Sequence, residues 1–268
     1  MTIPPLRSLG LATVLALAAL AGCNRDREPD SPNGPAARAS AAPTAAAGVP
    51  IAFESKTPWA DVSLSLPASI KAQPELHPAL YTEEVRRLRQ FVEGAQGELT
   101  EAGADSDLPK YAKNVRFSTA LQTGKLLSLK RVDYDYSGGA HPNTLTTGLL
   151  WDKTLERRIG LADLFPKGTD LTVLDQALCS ALNAAKRARA PGSPGLTLGG
   201  SGFSCPRARD TAFVLTASDA TGKAGGLTFL IDPYQAGPYA EGAYEIAVPA
   251  TVFRSLLVPS YSSEFGSD

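Results

Sequence analysis

The chain has little of the chemistry that marks the common enzyme classes. Its 268 residues include three cysteines, two histidines and one methionine. It contains no Gly-x-Ser-x-Gly, His-Glu-x-x-His, P-loop or dinucleotide-binding motif. No sequence motif therefore indicates an α/β-hydrolase, a zinc protease, a P-loop NTPase or a dinucleotide-dependent enzyme. A glycine-rich stretch at 199–202 is not followed by the Lys-Ser/Thr helix start of a phosphate-binding loop. We therefore expect no cofactor, no metal and no catalytic residue.

An excess of charge of either sign is also absent. The chain has 26 Lys and Arg against 27 Asp and Glu, a formal net charge of −1 at pH 7. Nucleic-acid binding needs a basic footprint, and binding to an anionic membrane surface needs a polybasic patch. The balance argues against both kinds of partner.

No apolar run near the N-terminus is long enough to span a bilayer. The run Leu9–Ala21 is about 13 residues, against the roughly 20 that a spanning helix needs. It follows Arg7 and ends in Leu20-Ala21-Gly22-Cys23, the layout of a bacterial lipoprotein signal peptide. We predict that Cys23 is the acylated first residue of a lipid-anchored envelope protein. Asn24 at the next position predicts the outer membrane in a diderm that follows the enteric rule. The alternative is an ordinary signal peptide with a chance cysteine.

Composition divides the chain into segments. Residues 1–22 are the signal peptide, and residues 23–50, rich in Ala, Pro and charged residues, form a disordered tether. An N-terminal α+β subdomain over 51–124, a second domain over 125–259 and a tail over 260–268 follow. Cys179 and Cys205 remain after lipidation. An oxidising envelope compartment favours a disulfide between them, worth about 3 kcal/mol, and the alternative is two separate buried thiols.

Apolar periodicity indicates an α+β fold with a mainly antiparallel sheet, two longer helices and a short C-terminal helix. We expect one longer helix to begin with Thr82 as its N-cap and the other to run over 171–189. The short helix is predicted over Pro249–Leu257, and His77, between two prolines, is placed in a loop without a role. Alternation predicts strands near 62–66, 115–121, 127–136, 144–151, 157–160, 213–216, 227–231 and 244–248.

The first candidate functional segment is 133–143. The predicted strand ends there at Ser137-Gly138-Gly139, and His141 follows. Together with Asp133 and Asp135, His141 is compatible with a carboxylate–histidine metal site and a metal-assisted hydrolase. The alternatives are a structural turn and a loop that contacts a protein, with Ser137 and His141 as binding residues. We expect Gly138 or Gly139 to adopt a positive φ.

A second unusual segment runs over 232–242 and bridges two predicted strands. It presents Tyr234 and Tyr239 between prolines and glycines, as contact residues at protein interfaces often are. The alternative is a packed connector whose rings cover the edge of the sheet.

Taken together, five segments resemble a known family. They occur in order at 136–143, 161–165, 233–234, 238–242 and 244–249. This combination resembles the domain of unknown function at the C-terminus of RsiV-type anti-sigma ectodomains, which also precedes the catalytic part of some peptidoglycan deacetylases. The resemblance covers about 126–257, and 60–123 is more loosely similar to the companion domain usually found upstream.

The resemblance implies a module that binds lysozyme or a peptidoglycan-associated component. The apolar segment begins near Leu9, so we expect no sigma-factor partner, and we expect no deacetylase domain before Asp268. The leading hypothesis is a lipid-anchored binding module that uses Ser137, His141, Tyr234 and Tyr239. The alternatives are the hydrolase centred on His141 and a purely structural envelope lipoprotein.

Overall fold

Nine strands and three α-helices form the part of the chain that the computed structural model describes, residues 48–103 and 109–266. The predicted fold class, α+β with a mainly antiparallel sheet, is confirmed. The helices are α1 (Leu76–Glu101), α2 (Thr172–Arg189) and α3 (Pro259–Ser262); the strands are β1 (Ala52–Lys56), β2 (Ala60–Ser65), β3 (Tyr111–Gln122), β4 (Leu126–Tyr136), β5 (Asn143–Asp152), β6 (Arg157–Ile159), β7 (Ala212–Ala217), β8 (Ala224–Ile231) and β9 (Tyr244–Pro249).

The strands form two sheets that keep the order of the sequence. The first sheet has six strands, β1 to β6, and the second has three, β7 to β9. Neighbouring strands are antiparallel except for β2 and β3, which are parallel because α1 carries the chain back between them. The β3–β4 hairpin spans the expected domain boundary at 124/125, and strands on both sides of that boundary belong to the one six-stranded sheet.

Helix α1 covers one face of the six-stranded sheet. Its buried apolar side chains recur at spacings of three to five residues up to Leu88 and again seven residues later at Ala95, and they pack on alternate residues of β2, β3 and β4, as an amphipathic helix on a sheet requires. The helix residues of this first core include Leu76, Leu80, Val85, Leu88 and Ala95, and the strand residues include Val62, Leu64, Val115, Phe117, Leu127 and Leu129.

The start predicted for this helix is wrong. Helix α1 begins at Leu76, so Thr82 lies inside it rather than at its N-cap. Pro78 is tolerated because the first N–H groups of a helix have no intrahelical acceptor. His77 is buried in the first turn, where its Nε2 lies 3.0 Å from the carbonyl oxygen of Pro50. The helix ends just before Gly103, whose φ is +90°.

The opposite face of the sheet belongs to a second core, which it shares with the three-stranded sheet, α2 and the end of the chain. The terminal helix predicted over Pro249–Leu257 is replaced by two 3₁₀ turns, Ala250–Val252 and Arg254–Leu256. The segment expected to be a tail instead packs into this core. Tyr261 and Phe265 are 4% and 2% exposed.

The predicted signal peptide, the predicted lipidation residue Cys23 and the expected tether up to residue 47 lie outside the described residues. Within 48–103 and 109–266, no helix combines the length and apolar character that crossing a bilayer demands.

Candidate functional site

The turn between β4 and β5 is built on two glycines in the left-handed region. Gly138 and Gly139 have φ values of +87° and +91°, so the predicted positive φ is confirmed at both positions. A side chain at either position would be strained. Ser137 is exposed at the start of this turn, and His141 is exposed near its end.

The turn meets the tyrosine segment that precedes β9. The His141 ring stacks on the Tyr239 ring with centroids 4.2 Å apart and planes 23° apart. The Tyr239 hydroxyl donates a hydrogen bond to the carbonyl oxygen of Pro142, at 3.1 Å. The Tyr234 ring lies 5.6 Å from that of Tyr239. His141, Tyr234 and Tyr239 therefore form one cluster, which we call the aromatic patch.

Tyr234 is a highly exposed member of the patch and has an unusual backbone conformation. It is 59% exposed, and its φ is +70°, a region that non-glycine residues seldom occupy. Such a conformation persists only where the surroundings impose it, and it often occurs in binding loops. An exposed tyrosine held in this way would lose little further conformational entropy on contact with another molecule.

Asp232 ties the tyrosine segment to β5. Its buried carboxylate accepts a hydrogen bond from the backbone N–H of Thr146, at 2.9 Å. Its own backbone N–H donates to the side chain of Gln235, at 2.9 Å. Burial raises the pKa of Asp232, and the Thr146 hydrogen bond opposes that rise. This carboxylate fixes the distance between the two segments that form the aromatic patch.

The other end of the tyrosine segment is held by α2. Lys186, whose side chain is 3% exposed, pairs with Glu241. The hydrogen bond from Lys186 contributes most to lowering the pKa of Glu241, and hydrogen bonds from Tyr244 and Ser193 assist while desolvation opposes them. Arg189 donates to the carbonyl oxygens of Glu241 and Ala243, at 2.9 and 2.6 Å. The segment is thus anchored on both sides of Tyr239.

Sequence patterns did not reveal these supporting residues. Lys186 and Arg189 lie in the last turn of α2, where basic residues are expected in any case because of the helix dipole. No local sequence pattern around Asp232 or Glu241 predicts their partners. Thr146 lies 86 residues from Asp232 in the chain, and Lys186 lies 55 residues from Glu241.

The structure does not bring His141 together with the two aspartates. The Lys113 ammonium lies between Asp135 and Asp133, at 2.7 and 3.0 Å, and Arg131 also pairs with Asp133 at 2.9 Å. In the described part of the chain, no three His, Cys, Asp or Glu side chains are grouped as metal ligands. The carboxylates are therefore committed to ion pairs, and the metal arrangement considered from the sequence is not formed.

The predicted disulfide is present. Cys179 of α2 is bonded to Cys205, with the two Cα atoms 5.2 Å apart. Asn183, one turn further along α2, supports the same loop: its side chain donates to the carbonyl oxygen of Leu196 and accepts from the Leu196 N–H. The bond ties α2 to the segment that leads into β7.

Comparisons with known proteins agree with this architecture. A family model described as Deacetylase PdaC matches residues 53–144, from β1 to the start of β5. A member of the DUF3298 family from Bacteroides fragilis is 22% identical, with a TM-score of 0.51 over 78% of this chain and 88% of its own.

A DUF3298 family protein from Pseudomonas aeruginosa is 16% identical, with a TM-score of 0.49 over 81% of this chain and 94% of its own. No curated protein matches the chain. The resemblance found in the sequence is confirmed: the first part of the chain is similar to the PdaC domain, and the fold is that of the DUF3298 family.

Proposed function

We propose that the chain is a lipid-anchored extracytoplasmic binding module of the bacterial envelope, which captures lysozyme or another cell-wall component through the aromatic patch. The observation that carries this proposal is the assembly of His141, Tyr234 and Tyr239 into one exposed cluster from two distant segments. The proposed binding residues are these three and Ser137, which lies on the same turn.

Physical considerations support a binding role for the patch. Tyrosine supplies a large contact area with few rotatable bonds, and rigid aromatic residues are enriched among the side chains that dominate binding energy. Asp232 and the Lys186–Glu241 pair anchor the segment that contains Tyr234 and Tyr239. Little conformational entropy of this segment is therefore lost when a partner docks. The cleft of a muramidase carries two carboxylates, and the Ser137 hydroxyl and the His141 imidazole are complementary to them.

The anchoring part of the proposal rests on the sequence. The lipoprotein signal ends at Cys23, and the Ala- and Pro-rich tether separates it from the folded unit. Replacing Cys23 with Ser is expected to block lipoprotein processing and leave an uncleaved precursor, seen by intact mass spectrometry. A mature N-terminus at another position, or an unmodified Cys23, contradicts the anchor.

The identity of the partner is tested by calorimetric titration with c-type lysozyme. The same measurement is then made with the cell's own cell-wall hydrolases. Tyr234→Ala, Tyr239→Ala and His141→Ala are each expected to weaken binding by about 1–3 kcal/mol. Arg86→Ala, on the exposed side of α1, serves as a control and should leave affinity unchanged.

Two results would contradict the proposal in different ways. If none of these hydrolases gives saturable binding at tens of micromolar, the muramidase version is wrong. Sedimentation with purified peptidoglycan then decides whether a cell-wall component is the ligand. Stoichiometric zinc that is lost in His141→Ala would instead favour a metal-dependent hydrolase over a binding module.

A further inference from the structure

A second site lies away from the aromatic patch, where α1 leaves part of the six-stranded sheet uncovered. The helix packs over β2, β3 and β4, but the side of β5 that faces α1 stays partly open. Leu145 is 45% exposed there, Thr147 is exposed and Leu149 is half-buried. A cavity of about 250 Å³ opens between α1, β5 and β6.

Three arginines line this cavity, and we call it the arginine groove. They are Arg87 of α1, Arg131 of β4 and Arg158 of β6. Glu84 is the one acidic residue among the lining residues, so the lining carries more positive than negative charge. Opposite charge at close range is favoured most where water is partly excluded, and the Arg131 side chain is only 15% exposed.

The ion pairs around the groove fix the guanidinium groups but leave donors unused. Arg131 donates from Nε and Nη2 to the Glu84 carboxylate, at 3.2 and 3.1 Å, and from Nη2 to Asp133. Arg158 donates from Nη2 to Glu83, at 2.8 Å. Within the described residues, Nη1 of Arg131 and both Nε and Nη1 of Arg158 donate to no acceptor. An anion that reached these N–H groups would leave the existing ion pairs intact.

Apart from Thr147, the rest of the lining is apolar. The half-buried Leu149, with the edges of the buried Leu80 and Phe117, contributes hydrocarbon surface next to the three guanidinium groups. A simple inorganic anion would leave that surface exposed to water, whereas a ligand with a small apolar body would cover it. The volume corresponds to a fragment-sized ligand, below the range of about 300–1,000 Å³ that drug-sized molecules occupy.

We propose that the arginine groove binds an N-acylated amino acid, the chemistry of a peptide C-terminus, through its carboxylate and its apolar side chain. Guanidinium groups match the planar geometry of a carboxylate and bind it with two parallel hydrogen bonds where the approach allows. Arg158, 46% exposed at its side chain, meets the ligand at the mouth of the groove, and Arg131 meets it inside.

Nuclear magnetic resonance titration of the full chain with N-acetyl-leucine tests this site. Saturable shifts are expected for the backbone amides of Thr147, Gly148 and Leu149, and none for those of the aromatic patch. N-acetyl-leucinamide, which lacks the carboxylate, should give no saturable shift. Arg158→Gln should weaken binding at least about tenfold, as expected when a charged hydrogen bond is lost. Arg187→Gln, on the exposed side of α2, is the matched control and should bind as the unmodified chain does.

Three outcomes would overturn the proposal. One is no saturable shift at these amides up to tens of millimolar N-acetyl-leucine, and another is equal binding of the amide. The third is inorganic phosphate or acetate shifting the same amides with equal affinity, because the groove would then be a general anion site. None of these results depends on whether the aromatic patch binds lysozyme, so the two proposals fail separately.

Discussion

The two faces of the six-stranded sheet are held to their neighbours by different means. On the α1 face, a charged network extends from Glu84 of the helix through Arg131 and Asp133 to Lys113 and Asp135. On the opposite face, contacts are mostly apolar, with an ion pair between Lys130 and Glu245 and a few hydrogen bonds from side chains to distant groups. Paired charges therefore give packing specificity on the α1 face, whereas close approach of the backbones gives it on the opposite face.

The close approach is tightest where the edge of β7 lies across the sheet. The N–H of Leu215 donates to the Ser128 hydroxyl, at 3.0 Å, so the outer edge of β7 faces β4. A β-carbon placed on Gly148 would lie 1.7 Å from the carbonyl oxygen of Phe213. Glycine at this position therefore lets the second sheet dock, and the docked strand also covers an edge that would otherwise be open to pairing.

The largest expected effect comes from filling that contact. Gly148→Val should destabilise the fold by about 3 kcal/mol or more, because the clashing atom is backbone and the strand must move. Urea denaturation measures the loss. Gly97→Ala is the control, since its β-carbon meets no atom within 4 Å and helix propensity should stabilise it by about 0.5–1 kcal/mol. Equal stability of Gly148→Val and the unmodified chain would show that the β7 contact is not close-packed.

The next largest loss of stability is expected from the charged network on the α1 face. Glu84 is 2% exposed at its side chain and pairs with Arg131 and Arg87. Glu84→Gln should cost about 2–4 kcal/mol, because the buried guanidinium of Arg131 then keeps only Asp133. Glu83→Gln is the control: that carboxylate pairs with exposed parts of Arg87 and Arg158, and its loss should cost less than about 1 kcal/mol. If the two variants lose the same stability, burial does not distinguish the pairs.

A smaller effect, with a pH dependence, comes from the apolar face. The Tyr261 hydroxyl donates to the Asp152 carboxylate at 2.7 Å. Burial, aided by this bond, raises the pKa of Tyr261 to about 12. The stability that this shift supplies is complete below pH 10 and is lost as pH rises towards 12.

Tyr261→Phe should therefore cost about 1–2 kcal/mol at pH 7, with the deficit narrowing between pH 10 and 12. Denaturation at several pH values measures it. Tyr81→Phe, at a half-buried position on α1, supplies the comparison for removing a hydroxyl elsewhere. A deficit that stays constant through this range would mean that the hydroxyl contributes only by packing.

The smallest effect separates stability from binding. Tyr234→Gly should change the free energy of unfolding by at most about 1 kcal/mol in the stabilising direction, since glycine tolerates the φ of +70°. The same change should weaken partner binding as much as Tyr234→Ala. Thermal unfolding and calorimetry together measure the two effects. A clear loss of stability would show that Tyr234 serves packing rather than presentation.

Much of the local structure follows from the sequence. Strict alternation predicts most strands to within a few residues, because a strand that is buried on one face must alternate apolar and polar side chains. The run at Leu171 to Arg189 predicts α2 closely, since its apolar stripe and basic last turn are both local signals. The Gly138-Gly139 turn and the Cys179–Cys205 bond also follow, because few conformations suit two adjacent glycines and only two cysteines remain for pairing.

The errors fall where local signals compete with tertiary packing. Thr82 has the chemistry of an N-cap, but burial of Leu76 and Leu80 against the sheet extends α1 by more than a turn ahead of it. Residues near the chain end look like a helix followed by a tail. Tyr261 and Phe265 instead fill the second core, and the chain between Pro249 and Leu257 takes two 3₁₀ turns on the way there.

By itself the sequence determined the order of strands β2 to β9 and of the two longer helices, the disulfide and the identity of the residues in the aromatic patch. Only the tertiary structure decided that Tyr239 stacks on His141, that Lys113 occupies the aspartates and that Arg131 and Arg158 share a groove. The physical reason is range. Periodicity, turn preference and capping act over a few residues, whereas these contacts join positions tens of residues apart, and their partners are set by how the two sheets and α1 pack.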